Sequence, residues 1–185
     1  MTEILFIRHA ETDSAGTFCG QSDPDVNSVG HEQIEALVAS LRGKHLQAVY
    51  SSDLFRARTT AEALARSVGV TCRLSPALRE IDFGEWEGLT WDEIWKRDRT
   101  YAERWVEEFP SLPTPGGETF EAFRSRVLAE VKALARLTAG RRVAVVTHAG
   151  VLRIILQDLL GETEAAAWEK TKEYCCLVPY HGVNA

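Results

Sequence analysis

The sequence predicts an α/β chain of three layers, α/β/α, with helices on both sides of a mainly parallel central sheet. Three observations carry this expectation. Short apolar runs, ILFI at residues 4–7 and VAVV at residues 143–146, recur far apart in the chain. Segments with apolar residues at helical spacing lie between such runs. Strands separated by helices imply βαβ units and therefore parallel pairing.

Taken in order, Glu3–Ile7 reads as the first strand. Ser28–Leu41 reads as a helix, with Ile34, Leu37, Val38 and Leu41 on one face. Leu46–Tyr50 is the second strand, and Ser51, Ser52 and Asp53 offer N-cap chemistry for a helix to about Val68. Thr71–Leu74 is a short strand, and Ser75–Gly88 a loop. Thr90-Trp91-Asp92-Glu93 has the form of a capping box, and a second helical piece is expected over Thr100–Glu108. Phe109–Gly117 holds three prolines and two glycines and breaks the chain. Phe120, Phe123, Val127, Val131 and Leu134 mark a long amphipathic helix. Arg142–Thr147 is a strand, Val151–Leu160 a helix and Cys175–Tyr180 a last strand. The chain of 185 residues is read as one domain over residues 1–185, with a helical cap-like insertion at about 88–118.

Composition narrows the function. Hydrophobic content of 45% and charge of 26% are ordinary for a globular protein. A formal net charge of -6 argues against tracking nucleic acid or an anionic membrane, while leaving room for a local cationic pocket. No apolar run approaches the roughly 20 residues of a membrane helix, and the N-terminus lacks a signal-peptide pattern. Cys19, Cys72, Cys175 and Cys176 form no C-x-x-C pair and are read as reduced cysteines of a cytoplasmic protein.

The chemistry gathers where strands end. Open parallel sheets bind their ligands outside the carboxyl ends of the strands. Arg8 and His9 follow ILFI, and Thr147 and His148 follow VAVV. SSDLFRART sets Arg56 in the first turn of a helix. Topology therefore brings Arg8, His9, Arg56 and His148 to one edge. Two arginines offer planar, permanently charged forks for phosphate oxygens. Helix N-termini near Arg56 and His148 add N–H donors for an anion. A histidine among them has a lone pair for nucleophilic attack near neutral pH. Together these groups describe a phosphoryl-transfer site.

On these residues the chain resembles the histidine phosphatase superfamily, the phosphoglycerate mutase-like fold, over nearly its whole length. FIRHAET resembles the Arg-His-Gly motif of that family, with Ala10 in place of glycine, a methyl group that would tighten the phosphate pocket. SSDLFRARTTAEAL, LREIDFGEWEG and VTHAGVLR resemble its second arginine, acidic and second histidine motifs. Any one is weak; four in this order are specific. The resemblance implies that His9 attacks phosphorus and becomes phosphohistidine. It implies that Arg8, Arg56 and His148 hold the phosphoryl oxygens, and that Glu80 protonates the leaving oxygen and then activates water. Asp82, Glu85 and Glu87 lie close by in sequence, and only the family pattern selects Glu80. The loop from Asp13 to Asp25 lacks the family's usual asparagine, which leaves Thr17 and Gln21 as candidate substrate contacts. Ala149, next to His148, and Glu118, in a PGGE segment that is first a helix-start turn, are the remaining candidates.

Other residues read as structural. Arg58 is a surface ion-pairing residue, and His31, His45 and His181 are solvated or helix-end histidines. Trp86, Trp91, Trp95 and Trp105 cluster after Glu80 and are read chiefly as packing and cap-loop residues, with one or two of them as candidates to face substrate. No H-x-H, H-x-x-x-H or dense carboxylate motif and no G-x-x-x-x-G-K-[ST] loop is present, so no metal and no other cofactor is expected. The expected partner is a small phosphorylated substrate, with no nucleic acid and no membrane; a homodimer is left open. FGEWEG and PTPGGETFEAFRSRV look most like the alpha-ribazole phosphatase branch of cobalamin synthesis. Broad-specificity and phosphoserine phosphatases share these features. Mutases of the family are usually longer, and the short chain leaves little room for a lid that excludes water, so hydrolysis is expected over transfer. A non-catalytic phospho-ligand binding module is the alternative of a different class.

Overall fold

Strands apolar on both faces set the architecture of residues 2–182, the part of the chain that the computed structural model describes. β1 (Thr2–Arg8), β2 (Ala48–Ser51), β3 (Cys72–Leu74), β4 (Arg142–Thr147) and β5 (Leu177–Gly182) form a five-stranded sheet in the order β3-β2-β4-β1-β5. The first four pair in parallel, and β5 runs antiparallel along the outer edge of β1. The α-helices are α1 (Ser28–Ser40), α2 (Phe55–Val68), α3 (Trp91–Arg97), α4 (Arg99–Glu108), α5 (Phe120–Leu137), α6 (Ala149–Ile154) and α7 (Glu164–Thr171). This is the mainly parallel α/β arrangement that the sequence predicts.

Successive side chains of a strand point to opposite faces, and here each face has its own helical layer. Ile4, Phe6, Val143 and Val145 pack with Phe123, Val127, Val131 and Leu134 of α5 and Val151 and Leu152 of α6. Leu5, Ile7, Ala144 and Val146 pack with Leu37 of α1 and Ala57, Ala61 and Leu64 of α2. Burying each large aliphatic side chain contributes about 1.5–3 kcal/mol. The small residues of α2 let that helix lie close to the sheet, which brings its first turn near the strand ends. A separate cluster of Trp86, Ile94 and Ala102, joined by Phe18, Phe83, Trp91, Trp95, Tyr101 and Trp105, packs α3 and α4 together. The capping box is formed: Thr90 accepts from the Glu93 N–H, and the Glu93 carboxylate accepts from the Thr90 N–H.

Several elements differ from the sequence expectation. Ser51, Ser52 and Asp53 do not cap α2. Ser51 ends β2, and Leu54 is the N-cap with no side-chain bond of its own. The first-turn N–H of Phe55 donates instead to Asp23 Oδ1, from a distant loop, at 2.5 Å. Ser52 and Asp53 are taken up by His148 and Arg79. The helix expected over Val151–Leu160 begins two residues earlier, at Ala149, and its last part, Ile155–Leu159, widens into a π turn. The loop Ser75–Gly88 contains 3-10 turns at Pro76–Leu78 and Gly84–Trp86. α7 was not expected; Thr163 caps it by accepting from Ala166 N–H. β5 starts at Leu177 rather than Cys175, whose backbone is left-handed (φ 55°) and cannot continue a strand. The single-domain range 1–185 extends past the described residues at both ends.

Candidate active site

Parallel register brings the ends of β1 and β4 side by side, pairing Arg8 with Thr147. The next residues are His9 and His148, whose ring centroids lie 5.1 Å apart. Arg56, the second residue of α2, is almost fully buried at 1% exposure, and its Nε donates to His9 Nε2 at 3.2 Å. Arg8 stacks over the ring of Tyr174 at 3.9 Å, and that ring lies 5.7 Å from the ring of His9. The four residues expected at one sheet edge do meet there.

The partners of His9 fix its tautomer. A carbonyl only accepts, so Nδ1, 2.7 Å from the Ala10 oxygen, must carry the proton. A guanidinium only donates, so Nε2 must offer its lone pair to Arg56. Burial first, and the Arg56 charge second, hold the His9 imidazole well below its usual pKa. The ring is therefore neutral near pH 7 with Nε2 available. Burial and Arg56 depress His148 in the same way. His148 Nε2 lies 2.9 Å from Ser52 Oγ, a hydroxyl that also accepts from the Leu54 N–H and has both a proton and a second lone pair for the ring. His148 Nδ1 and Arg8 Nε are buried and have no hydrogen-bond partner among the described residues. An orphaned arginine donor and an unpartnered histidine nitrogen beside a neutral, lone-pair-bearing imidazole are the groups that binding an anion and attacking it require.

Glu80 is held at the same edge. Thr147 Oγ1 donates to the Leu78 carbonyl at 2.7 Å and ties the Pro76–Leu78 turn to the end of β4. The Glu80 carboxylate then accepts from Gly150 N at 2.9 Å and from its neighbour Ile81 N at 3.1 Å. The approach to α6 is so close that a Cβ on Gly150 would stand 2.2 Å from Glu80 Oε1, which explains the glycine. Ala149 N, at the first turn of α6 beside it, makes no hydrogen bond to protein among the described residues.

A sequence profile of the histidine phosphatase superfamily (branch 1) matches residues 4–181. The chain belongs to the histidine phosphatase superfamily. It is 37% identical to the metal-independent phosphoserine phosphatase of Arabidopsis thaliana over 161 residues, 84% of this chain and 67% of that one. It is 28% identical to the adenosylcobalamin/alpha-ribazole phosphatase of Escherichia coli over 175 residues, 94% of this chain and 86% of that one. The solved alpha-ribazole phosphatase from Shigella flexneri superposes with a TM-score of 0.87 at 25% identity, covering 96% of this chain and 89% of that one.

The phosphatase places its other expected contacts differently. The Thr17 hydroxyl donates to the Ser14 carbonyl at 2.8 Å, and Gln21 Oε1 accepts from Arg79 at 3.3 Å. Glu118 is paired with Arg126, so its carboxylate faces a guanidinium rather than the histidines. The methyl group of Ala10 does not narrow the phosphate pocket; it is fully buried with Val26 and Ile34, and the Ala10 N–H donates to Thr60 Oγ1. Arg58 forms the expected surface pair with Glu62. The tryptophans at 86, 91, 95 and 105 pack against one another. Among the described residues, no helix is long and apolar enough to cross a membrane, and no group of three or more His, Cys, Asp or Glu is placed to hold a metal ion.

Sequence reasoning missed four supporting residues. Tyr174 stacks on Arg8, Ser52 orients His148, and Arg126 and Glu87 brace backbone around the site. Arg126 donates to the carbonyls of Ala77, Arg79 and Glu80 and to both oxygens of Glu118, using all five of its N–H groups. None of these carries a local signal, because their partners are distant backbone atoms or side chains.

Proposed function

We propose that this phosphatase hydrolyses small phosphomonoesters without a metal, through a phosphohistidine on His9. The observation that carries the reading is the fixed tautomer of His9: Nδ1–H held by the Ala10 carbonyl, Nε2 aimed at Arg56. In the first step the Nε2 lone pair attacks phosphorus as the bond to the leaving oxygen breaks. Glu80 in its acid form gives that oxygen a proton. Arg56 Nε–H turns from Nε2 to a phosphoryl oxygen, joined by Arg8, His148 and the Ala149 N–H, which spread the charge of the transition state. In the second step the Glu80 carboxylate takes a proton from water. The oxygen attacks phosphorus, the P–N bond breaks, and its electron pair returns to Nε2.

For the substrate, the reading is alpha-ribazole 5'-phosphate, supported by the FGEWEG and PGGE segments and by the likeness to the Shigella flexneri enzyme. A second reading, phosphoserine, is favoured by the 37% identity to the Arabidopsis thaliana phosphatase. Four free cysteines suit a cytoplasmic setting. The deciding experiment is phosphate release in excess EDTA by wild type and His9→Ala. Its panel holds an aryl phosphate, alpha-ribazole 5'-phosphate, phosphoserine and 3-phosphoglycerate. Chelator-resistant release that is lost in His9→Ala is expected, and activity restored only by added metal would overturn the mechanism. The preference within the panel chooses between the two substrates.

A further inference from the structure

The loop Cys19–Ser22 has two faces, and both are fully engaged. Its carbonyls receive Arg56: Nη1 donates to the Ser22 oxygen at 2.6 Å, and Nη2 to the Gly20 oxygen at 2.6 Å and the Cys19 oxygen at 3.4 Å. Its amides receive Glu87. The N–H groups of Gly20, Gln21 and Ser22 donate to that carboxylate at 3.1, 2.8 and 3.0 Å. The Ser22 hydroxyl and the Phe83 N–H donate to it as well. Three consecutive amides turned toward one anion form a nest, and here the anion is the protein's own side chain.

We propose that Glu87 is a positioning residue for the phosphoryl site, acting on His9 through the Gly20–Ser22 loop and Arg56. The chain of contacts is continuous. Glu87 fixes the Gly20 and Gln21 amides, whose peptide planes carry the Cys19 and Gly20 carbonyls, which hold Nη2 of Arg56 and so set where its Nε meets His9. Rotation of these peptides would swing the carbonyls away and leave Nη2 of a buried guanidinium without acceptors, a costly state. Glu87 forms no ion pair among the described residues, so the hydrogen bonds alone balance its charge. Half-burial would raise its pKa, but the bonds from Ser22, Phe83 and Gln21 outweigh that and hold it below the usual carboxylate range. The fit is tight: a Cβ on Gly20 would lie 2.1 Å from the Ile81 oxygen and 2.3 Å from Glu87 Oε1. Glu87 also sits between buried Trp86 and the turn that leads into α3, so the aromatic cluster and the phosphoryl site share this one side chain.

The inference rests on His9 as the nucleophile, so its test includes a readout independent of turnover. Glu87→Gln replaces an acceptor-only group by one that presents N–H to the nest. On an aryl phosphate its kcat should fall by about tenfold to a hundredfold, as for misplacement of a catalytic group. In an Arg56→Lys background the same change should cost less than about twofold, because the link is already cut. Equal losses in both backgrounds would overturn the proposal. Nitrogen NMR of His9 supplies the independent readout: release of Arg56 should raise the His9 pKa and shift the Nε2 resonance, and an unchanged His9 titration would overturn it. Should Glu87→Gln fail to fold, Ser22→Ala removes a single donor. It should move kcat and the His9 resonance in the same directions by smaller amounts, and no movement in either counts against the proposal. A displaced His9 titration, in a protein whose His9→Ala variant keeps full activity, would uphold the coupling and refute the nucleophile.

Discussion

Arg56 and His9 share one hydrogen bond, Nε to Nε2 at 3.2 Å, with the arginine almost completely buried and no carboxylate paired to it among the described residues. The cation is kept instead by peptide carbonyls, which leaves its charge uncancelled for an incoming phosphoryl group. Arg56→Lys keeps the charge but loses the fork. Steady-state kinetics on an aryl phosphate should show kcat lower by about 10²–10³-fold, the scale of losing a preorganised donor to transition-state charge. A variant within a few-fold of wild type would separate this contact from the chemistry.

In the proposed mechanism Glu80 serves the leaving group rather than the attack. Its carboxylate binds Gly150 N on α6 and does not touch the His9 ring nitrogens. Glu80→Gln retains the shape and the acceptor oxygen but has no proton to give. With alkyl phosphates the loss should reach about 10²–10⁴-fold, and with activated aryl phosphates it should be far smaller. A linear free-energy plot of rate against leaving-group pKa is the measurement; an equal loss across the series would remove Glu80 from the role of acid.

Arg126 supports Glu80 at one remove. It spans the carbonyls of Ala77, Arg79 and Glu80 while Glu118 holds its other side. Arg126→Lys can supply at most three of the five bonds, so urea unfolding should show a loss of about 1–3 kcal/mol. The same variant should lose more activity on poor leaving groups than on activated ones, which general destabilisation would not produce. Uniform loss over the leaving-group series would make Arg126 a purely structural brace.

Much of this site is legible in the sequence because apolar strands end abruptly in polar residues. ILFI before Arg8-His9 and VAVV before Thr147-His148 give both the sheet and its functional edge. The long period of α5 and the Thr90–Glu93 box are local patterns, and local patterns survive folding. What escapes is set by distant partners. The cap of α2 comes from Asp23, 32 residues before Phe55, so the serines next to the helix misled. α7 shows EAAAWEKT, which buries only Ala167 and Thr171 and so has no apolar stripe to read. Arg126 bonds to carbonyls 46–49 residues away, and carbonyls have no sequence signature. Thr17 and Gln21 were singled out by their nearness to His9 along the chain, yet their side chains bond to Ser14 and Arg79.

Both site histidines are buried with depressed pKa values, burial being the larger cause and Arg56 the next, and this makes stability depend on pH in a definite direction. An unfolded histidine titrates near about 6.5. Above that pH neither state is protonated at these rings, and their contribution is flat. As pH falls through about 6.5 the unfolded chain takes up protons that the folded rings refuse. The unfolding free energy then drops by up to about 1.4 kcal/mol per pH unit for each histidine, until the depressed folded pKa is reached. Urea titrations between about pH 7 and pH 5.5 should therefore show a falling midpoint. His148→Asn, which keeps a hydrogen-bonding group for Ser52 but cannot titrate, should flatten the part of that slope due to His148. The acid limb of kcat/KM should lie well below the usual histidine pKa, since His9 keeps its lone pair until its own lowered value is passed. A pH-independent unfolding midpoint across this range, or an acid limb centred at the usual histidine value, would mean that the rings are hydrated and that Arg56 does not set their charge.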